Sequence, residues 1–302
     1  EVHGNDIKVL IDGEATFDSL FEALEKAKDY IFVNFFIVMN DRLGSAFKDA
    51  LVARAKAGIR VHFLFDEIGS HKLPSSYLRE MREAGIQCCS FGTNRYWWSR
   101  LQINFRNHRK VVIVDGEDAF VGGLNVGDDY LGRNPRFGAW RDTHLRIRGP
   151  AVQAVQMVFL EDWFWAAADV PKVKVHPEPE KKNQRCQILP TGPADPQESW
   201  QLFVVEAAST AHKRLWITSP YFVPDPGVLA ALQAAAIRGV DVRVLLPQKV
   251  DHLLVYLSSY SFYETTIPLG VKLYRYTKGF LHQKTLLTDD HAAVGTANLD
   301  NR

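Results

Sequence analysis

Two stretches of this chain repeat each other, and a repeat constrains the fold before any single residue does. AKDYIFVNFFIV at 27–38 resembles AHKRLWITSPYF at 211–222, and LVARAKAGIRVHFLFD at 51–66 resembles LQAAAIRGVDVRVLLP at 232–247. Ala84, Gly85 and Ile86 match Leu269, Gly270 and Val271 at nearly the same separation. Self-similarity at a long, near-constant offset marks a duplicated unit. In the first copy, Phe17, Leu20, Phe21 and Leu24 recur at helical spacing, which predicts a helix over 16–28. Residues 30–38, rich in β-branched and aromatic side chains, predict a buried strand. A helix over 45–57, stopped by Gly58, leads into a strand over 59–65. Another helix before Gly85 leads into a strand over 86–91. The expected fold is α/β, with two repeated units, each a mixed β-sheet flanked by helices. The segment 169–185 (DVPKVKVHPEPEKKNQR) has the proline content and alternating charge of a linker, so the units are expected at 1–168 and 186–302.

Composition narrows the function classes. The 302 residues are 46% hydrophobic and 24% charged, the balance of a globular protein with a real core. Basic and acidic residues number 36 and 35, a net charge of +1, which argues against a nucleic-acid partner and makes any basic surface local. Cys88, Cys89 and Cys186 have neither metal-ligand spacing nor a disulfide framework and are expected as buried thiols. No apolar run approaches the roughly 20 residues that span a bilayer. The chain opens at Glu1 and stops at Arg302, and reads as a trimmed piece.

The chemistry lies in a motif present twice. His108, Lys110 and Asp115 have the spacing H-x-K-x4-D, and His282, Lys284 and Asp289 repeat it. Each is followed by G-x-x-N: Gly122 to Asn125 as GGLN, and Gly295 to Asn298 as GTAN. One such motif arises by chance in roughly a few per cent of chains this long, but two in matching places of a repeat do not. Each motif starts a short apolar strand, so His and Lys, two apart, share a face. A nucleophile or acid thereby stands beside a fixed cation, as a phosphodiester requires when charge develops on its oxygens. Asn125 and Asn298 can add neutral donors, and glycines such as Gly123 permit close backbone approach. Asp115 and Asp289 complete the motifs and are grouped with the catalytic set, although their spacing puts them on the opposite strand face, as supports. Two imidazoles can hold opposite protonation states near neutral pH, one attacking phosphorus and one protonating the leaving alcohol. One active site between the two units is therefore expected. The other histidines (His3, His62, His71, His144, His176, His212, His252, His291) are read as structural or solvated. Residues 92–114 and 265–288 contain no Asp or Glu but several Arg and Lys, which implies an anionic substrate.

The doubled motif resembles the signature of the phospholipase D superfamily. Its flanks, FRNHRKVVIVDGEDAFVGG from Phe105, WRDTH from Trp140, SPYFVP from Ser219, GFLHQKT from Gly279 and GTANLDNR from Gly295, are similar to bacterial cardiolipin synthases over nearly the whole chain. That resemblance implies phosphatidyl transfer between two phosphatidylglycerols, yielding cardiolipin and glycerol, with no metal or other cofactor. His108 would be the nucleophile and His282 the acid and base, with the reverse assignment open. It also implies a carboxylate orienting each histidine: Asp142 for the first unit, and for His282 a residue beyond Arg302, without which the chain is expected to be a weak catalyst. Hydrolysis, or transfer to another acceptor such as phosphatidylethanolamine, shares the first half-reaction; a nuclease of the superfamily is the more distant alternative. The expected location is a bacterial cell membrane, the hydrophobic anchors of the family being absent from this chain. The expected partners are phosphatidylglycerol and an anionic membrane surface, met by the aromatic and basic segment 95–105 (RYWWSRLQINF). Trp163, Phe164 and Trp165 are expected in core or inter-unit packing.

Overall fold

A computed structural model describes residues 1–92, 107–175, 178–192, 198–249 and 253–300. The first unit runs β1 (Val2–Ile11), α1 (Asp12–Glu25), β2 (Tyr30–Phe35), α2 (Arg42–Lys56), β3 (Arg60–Asp66), α3 (Ser75–Glu83) and β4 (Gln87–Phe91). It continues with β5 (Lys110–Val114), β6 (Asp118–Gly122), β7 (Trp140–Arg141), β8 (Thr143–Arg148) and α4 (Ala151–Ala167). After β9 (Gln184–Cys186), the second unit runs α5 (Ser199–Thr210), β10 (Arg214–Thr218), β11 (Phe222–Val223), α6 (Pro226–Ile237) and β12 (Asp241–Pro247). Then come α7 (Leu253–Tyr260), α8 (Tyr263–Thr266), β13 (Lys272–Tyr276), β14 (Phe280–Leu281), β15 (Thr285–Thr288), β16 (His291–Val294) and β17 (Leu299–Asp300).

The two main sheets share one plan. The first has the order β4-β3-β2-β5-β6-β8-β1-β9 and the second β13-β12-β10-β15-β16. In both, the three strands at one edge are parallel, and the next two are antiparallel. The same glycine performs the same task in each: Gly58 and Gly239 both have φ +90°, ending α2 and α6 so that the chain can turn into β3 and β12. The predicted strand over 30–38 ends at Phe35 because Ile37 and Val38 leave the sheet to donate their N–H groups to Asn125 and Ser70.

Side chains alternate across β2, so Val33 and Phe32 face different layers. Val33 belongs to the core cluster that holds Phe17, Leu20, Phe47 and Met81 of α1, α2 and α3, and Phe32 to the one that holds Val155, Phe159 and Trp163 of α4. Both faces are covered, and every residue of β2 is buried. In the second sheet β10 alternates between buried and half-buried residues, with α5 and α6 packed on its Leu215 and Ile217 side. Of the aromatic trio in α4, only Trp163 is core. Phe164 and Trp165, each about 100° further round the helix, are 55% and 48% exposed. The end of the predicted linker is not loose chain: β9 pairs with β1 at the edge of the first sheet. The three cysteines are free and part-buried. No described helix is long and apolar enough to cross a membrane, and the segment 93–106, which holds the whole of the expected membrane-facing stretch, lies outside the described residues.

Candidate active site

Each motif histidine precedes a strand that lies beside the carboxyl end of a parallel strand. Lys110, first residue of β5, pairs with Phe35 at the end of β2, and Thr285 of β15 pairs with Thr218 at the end of β10. Around His108 the main chain is fixed by buried acids. Asn107 donates its N–H to Asp66 Oδ2 at 2.9 Å and its side-chain Nδ2 to Asp162 Oδ2 at 2.8 Å. Asn34 donates to the same Asp162 oxygen, and the Arg109 guanidinium pairs with its other oxygen. Both neighbours of His108 are thus clamped, while its ring lies exposed against Phe36, 4.2 Å between centroids. Lys110 Nζ donates to the His108 carbonyl at 2.5 Å. Asp66, Asp162 and Asn107 are site residues that motif spacing does not single out. The available signal is the Glu161–Asp162 pair, the two acids of an otherwise uncharged α4.

His282 is positioned by the other unit. Strand β14 pairs in parallel with β7: Phe280 donates its N–H to the Ala139 carbonyl, and His282 donates its own to Arg141. This register brings the His282 ring beside the next residue, Asp142, with Nδ1 2.8 Å from Oδ2. Asp142 therefore serves the histidine of the second unit, which corrects its sequence-based assignment to His108. It also corrects the expectation that His282 has its carboxylate beyond Arg302. The pairing crosses between units through two short strands, and spacing along the chain carries no trace of it. Gly123 makes room for it: a Cβ there would stand 2.0 Å from Asp142 Oδ1. The other Asp142 oxygen accepts the Thr143 N–H at 2.8 Å.

Lys284 Nζ also lies 2.9 Å from His282 Nδ1 and reaches the His282 carbonyl. One ring nitrogen cannot serve a donor lysine and an acceptor carboxylate together. The carboxylate takes the Nδ1 proton, because the ammonium has no lone pair and has the carbonyl as its acceptor. Nε2 is then the basic nitrogen.

The electrostatics join the two motifs. Burial, with the neighbouring Lys284 and Lys110 charges, pushes the His282 imidazole down to about 4, against the pull of Asp142. Burial and the Lys284 charge push Lys110 down to about 7. Burial raises the Asp142 carboxyl, but the His282 hydrogen bond and Lys284 outweigh it and hold the group below its ordinary value. Lys110 and Lys284 thus lie buried close enough to repel each other, with Asp142 and Asp66 as the carboxylates that act on Lys110.

The remaining motif residues hold the scaffold. Asp115 accepts N–H bonds from Lys28, Asp29 and Tyr30 at 2.7–2.9 Å, and Asp289 accepts them from His212, Lys213 and Arg214 at 2.9–3.0 Å. Both adopt the left-handed conformation, with φ of +55° and +47°. They sit at the far ends of β5 and β15, so their grouping with the catalytic residues is corrected: they anchor the starts of β2 and β10. Asn125 is buried, its Oδ1 accepting from Ile37 and its Nδ2 donating to the Tyr130 hydroxyl at 3.0 Å. An amide has two such hydrogens, and among the described residues only one is committed. The Asn298 carbonyl accepts from Trp200 Nε1, while its side-chain Oδ1 is buried with no partner among the described residues.

A family model described as cardiolipin synthase, phospholipase D-like domain, matches residues 20–163 and 204–302. The chain belongs to this family. It is 50% identical over 299 residues to cardiolipin synthase A of Pseudomonas putida strain W619, covering 99% of this chain and 62% of that protein. It has the same identity to cardiolipin synthase A of Pseudomonas aeruginosa strain LESB58, covering 61% of it. The chain thus spans under two thirds of these relatives. The fold is similar to phosphatidylserine synthase of Haemophilus influenzae Rd KW20, with a TM-score of 0.70 at 15% identity, covering 94% of this chain and 76% of that one.

Proposed function

We propose that the chain is the catalytic part of a phosphatidyltransferase that makes cardiolipin and glycerol from two phosphatidylglycerols at a membrane surface. The observation that carries this reading is the Asp142–His282 pair, set between two buried lysines from different units. The lysines receive the phosphodiester oxygens. A ring nitrogen of His108 attacks phosphorus, the bond to the glycerol headgroup oxygen breaks, and His282 gives that oxygen its proton. His282 next takes a proton from a glycerol hydroxyl of the second phosphatidylglycerol. That oxygen attacks phosphorus, the P–N bond breaks, and His108 is regenerated. One phosphodiester replaces another, so no nucleotide is consumed.

Burial and the two lysine charges keep the proton affinity of His282 low. A bound phosphodiester answers the charges of Lys284 and Lys110, which removes part of the repulsion that depresses the imidazole. Substrate binding thereby arms the acid, and Asp142 stabilises the imidazolium as the carboxylate of a triad does. Asn125 supplies a neutral donor while bracing the 37–38 segment.

The test is incubation with phosphatidylglycerol vesicles and identification of the lipid products by mass spectrometry. Cardiolipin with glycerol is expected. Phosphatidic acid in its place would make the chain a hydrolase. His108→Ala and His282→Ala should each abolish product, and a chelator should leave the rate unchanged.

A further inference from the structure

We propose that the outward face of α7 is the surface by which the active-site end of the chain seats on a lipid bilayer; this rests on the lipid-substrate reading above. The helix LLVYLSSY carries no charge, and its apolar residues point the wrong way for a core element. Leu253, Leu254, Leu257 and Tyr260 are 63%, 80%, 54% and 45% exposed. Their spacing puts them on one helical face. The other face is anchored: Val255, Tyr256 and Ser259 line a small cavity with Phe222, Leu246 and Arg275. Arg275 lies 4.9–5.7 Å from the ring centroids of Tyr256, Tyr260 and Tyr263, and donates to the Pro247 carbonyl at 2.8 Å. The leucines therefore stand on a pinned helix.

Topology places this helix at the catalytic end of the second sheet. It follows β12, whose Leu245 is level with Thr218 of β10, and Thr218 is level with Thr285, three residues after His282. Lys249, beside α7, donates to the Phe137 carbonyl at 2.8 Å, and Phe137 packs against Phe280 of β14. Lys249 is exposed beside the helix, Glu264 of α8 is exposed after it, and Tyr256 and Tyr260 share a hydroxyl contact of 2.7 Å. An uncharged apolar face with tyrosines and a lysine at its edge fits the boundary between acyl chains and headgroups. A second protein copy fits less well. Eight helical residues extend only about 12 Å, a footing far smaller than the roughly 800 Å² that each partner buries in a stable interface.

The chain is labelled at Leu254→Cys with an environment-sensitive fluorophore; Cys88, Cys89 and Cys186 are part-buried, and burial pushes their thiols up, so they compete poorly for the label. Adding vesicles of phosphatidylglycerol and phosphatidylcholine should shift the emission to the blue, with quenching by brominated acyl chains. Leu254→Glu with Leu257→Glu should weaken vesicle binding at least ~10-fold and lower turnover of vesicular phosphatidylglycerol in proportion. Turnover of a monomeric short-chain phosphatidylglycerol should not change. An unshifted label on vesicles, or vesicle binding by the double variant equal to the parent, overturns the proposal. So does a blue shift without lipid that tracks self-association in sedimentation. Binding through α7 with no cardiolipin formed would sink the catalytic reading alone; cardiolipin formed while the label stays in water would sink the bilayer surface alone.

Discussion

Gly123 and Asp142 depend on each other at the distance of a single atom. A methyl group at 123 would overlap the carboxylate that orients His282, so Gly123→Ala should behave kinetically like a change at position 142. Asp142→Asn is nearly isosteric, yet its amide would present a donor to Nδ1 and favour the wrong tautomer. A fall in kcat of up to ~10,000-fold is expected by triad precedent, with thermal stability largely kept. Single-turnover assays on both variants, with melting curves beside them, check this; an Asp142→Asn enzyme within a few-fold of the parent would show that the carboxylate does not direct the proton. His108, Lys110, His282 and Lys284 were legible in the sequence because a motif at a strand start has fixed spacing. Which carboxylate serves which imidazole was not, since that choice is made by the β7–β14 pairing, between residues about 140 positions apart.

Among the elements, the two motif aspartates offer a matched comparison. Each gathers three backbone N–H groups at the start of the central strand, but Asp115 is 5% exposed and Asp289 is half-buried. Losing a buried acceptor strands its donors, at about 1–3 kcal/mol, whereas water can replace an exposed one. Asp115→Ala should therefore cost clearly more than Asp289→Ala in urea titrations; equal losses would mean that water reaches both strand starts alike. Helix α4 contributes a second case. Burial pushes the Asp162 carboxyl up against the opposing pull of Arg109, and removing the acid leaves the guanidinium uncompensated. Asp162→Ala should lose about 3–5 kcal/mol, and adding Arg109→Met should restore part of it. If the double variant is no more stable than Asp162→Ala alone, the pair is not the source of the loss. Strand and helix order was largely readable from hydrophobic periodicity. Their ends were less so: the predicted strand over 30–38 lost its last residues to the Asn125 and Ser70 side chains, partners that no local pattern announces.

For the molecule as a whole, acid is the sensitive direction. Burial chiefly holds His62, His144 and His282 at about 4, against an ordinary 6.5. Between those values the unfolded chain binds protons that the native protein refuses, so stability rises with pH across the window and falls on acidification through it. The melting temperature should drop between pH 6.5 and 4.5. His62→Phe, replacing an imidazole packed between Phe32 and Trp163 whose Nδ1 has no described partner, should flatten that slope. Identical slopes in parent and variant would remove His62 from the account. The duplication was the most legible global feature, because equal units keep equal glycine stops and equal strand order. The unequal cladding of the two sheets was not legible, since it depends on what packs against each face.

The contact between the two units also bears on how such chains can be recombined. What joins β7 to β14 is peptide groups, which are the same in every sequence, the Asp142–His282 pair, and the packing of Trp140 and Phe137 on Phe280. A hybrid taking its first unit from one relative and its second from another would carry the junction wherever both parents keep that pair, the neighbouring glycine and the aromatic residues at 137, 140 and 280. Exchange of whole units is then open to such lineages, while shuffling within a unit would break a sheet.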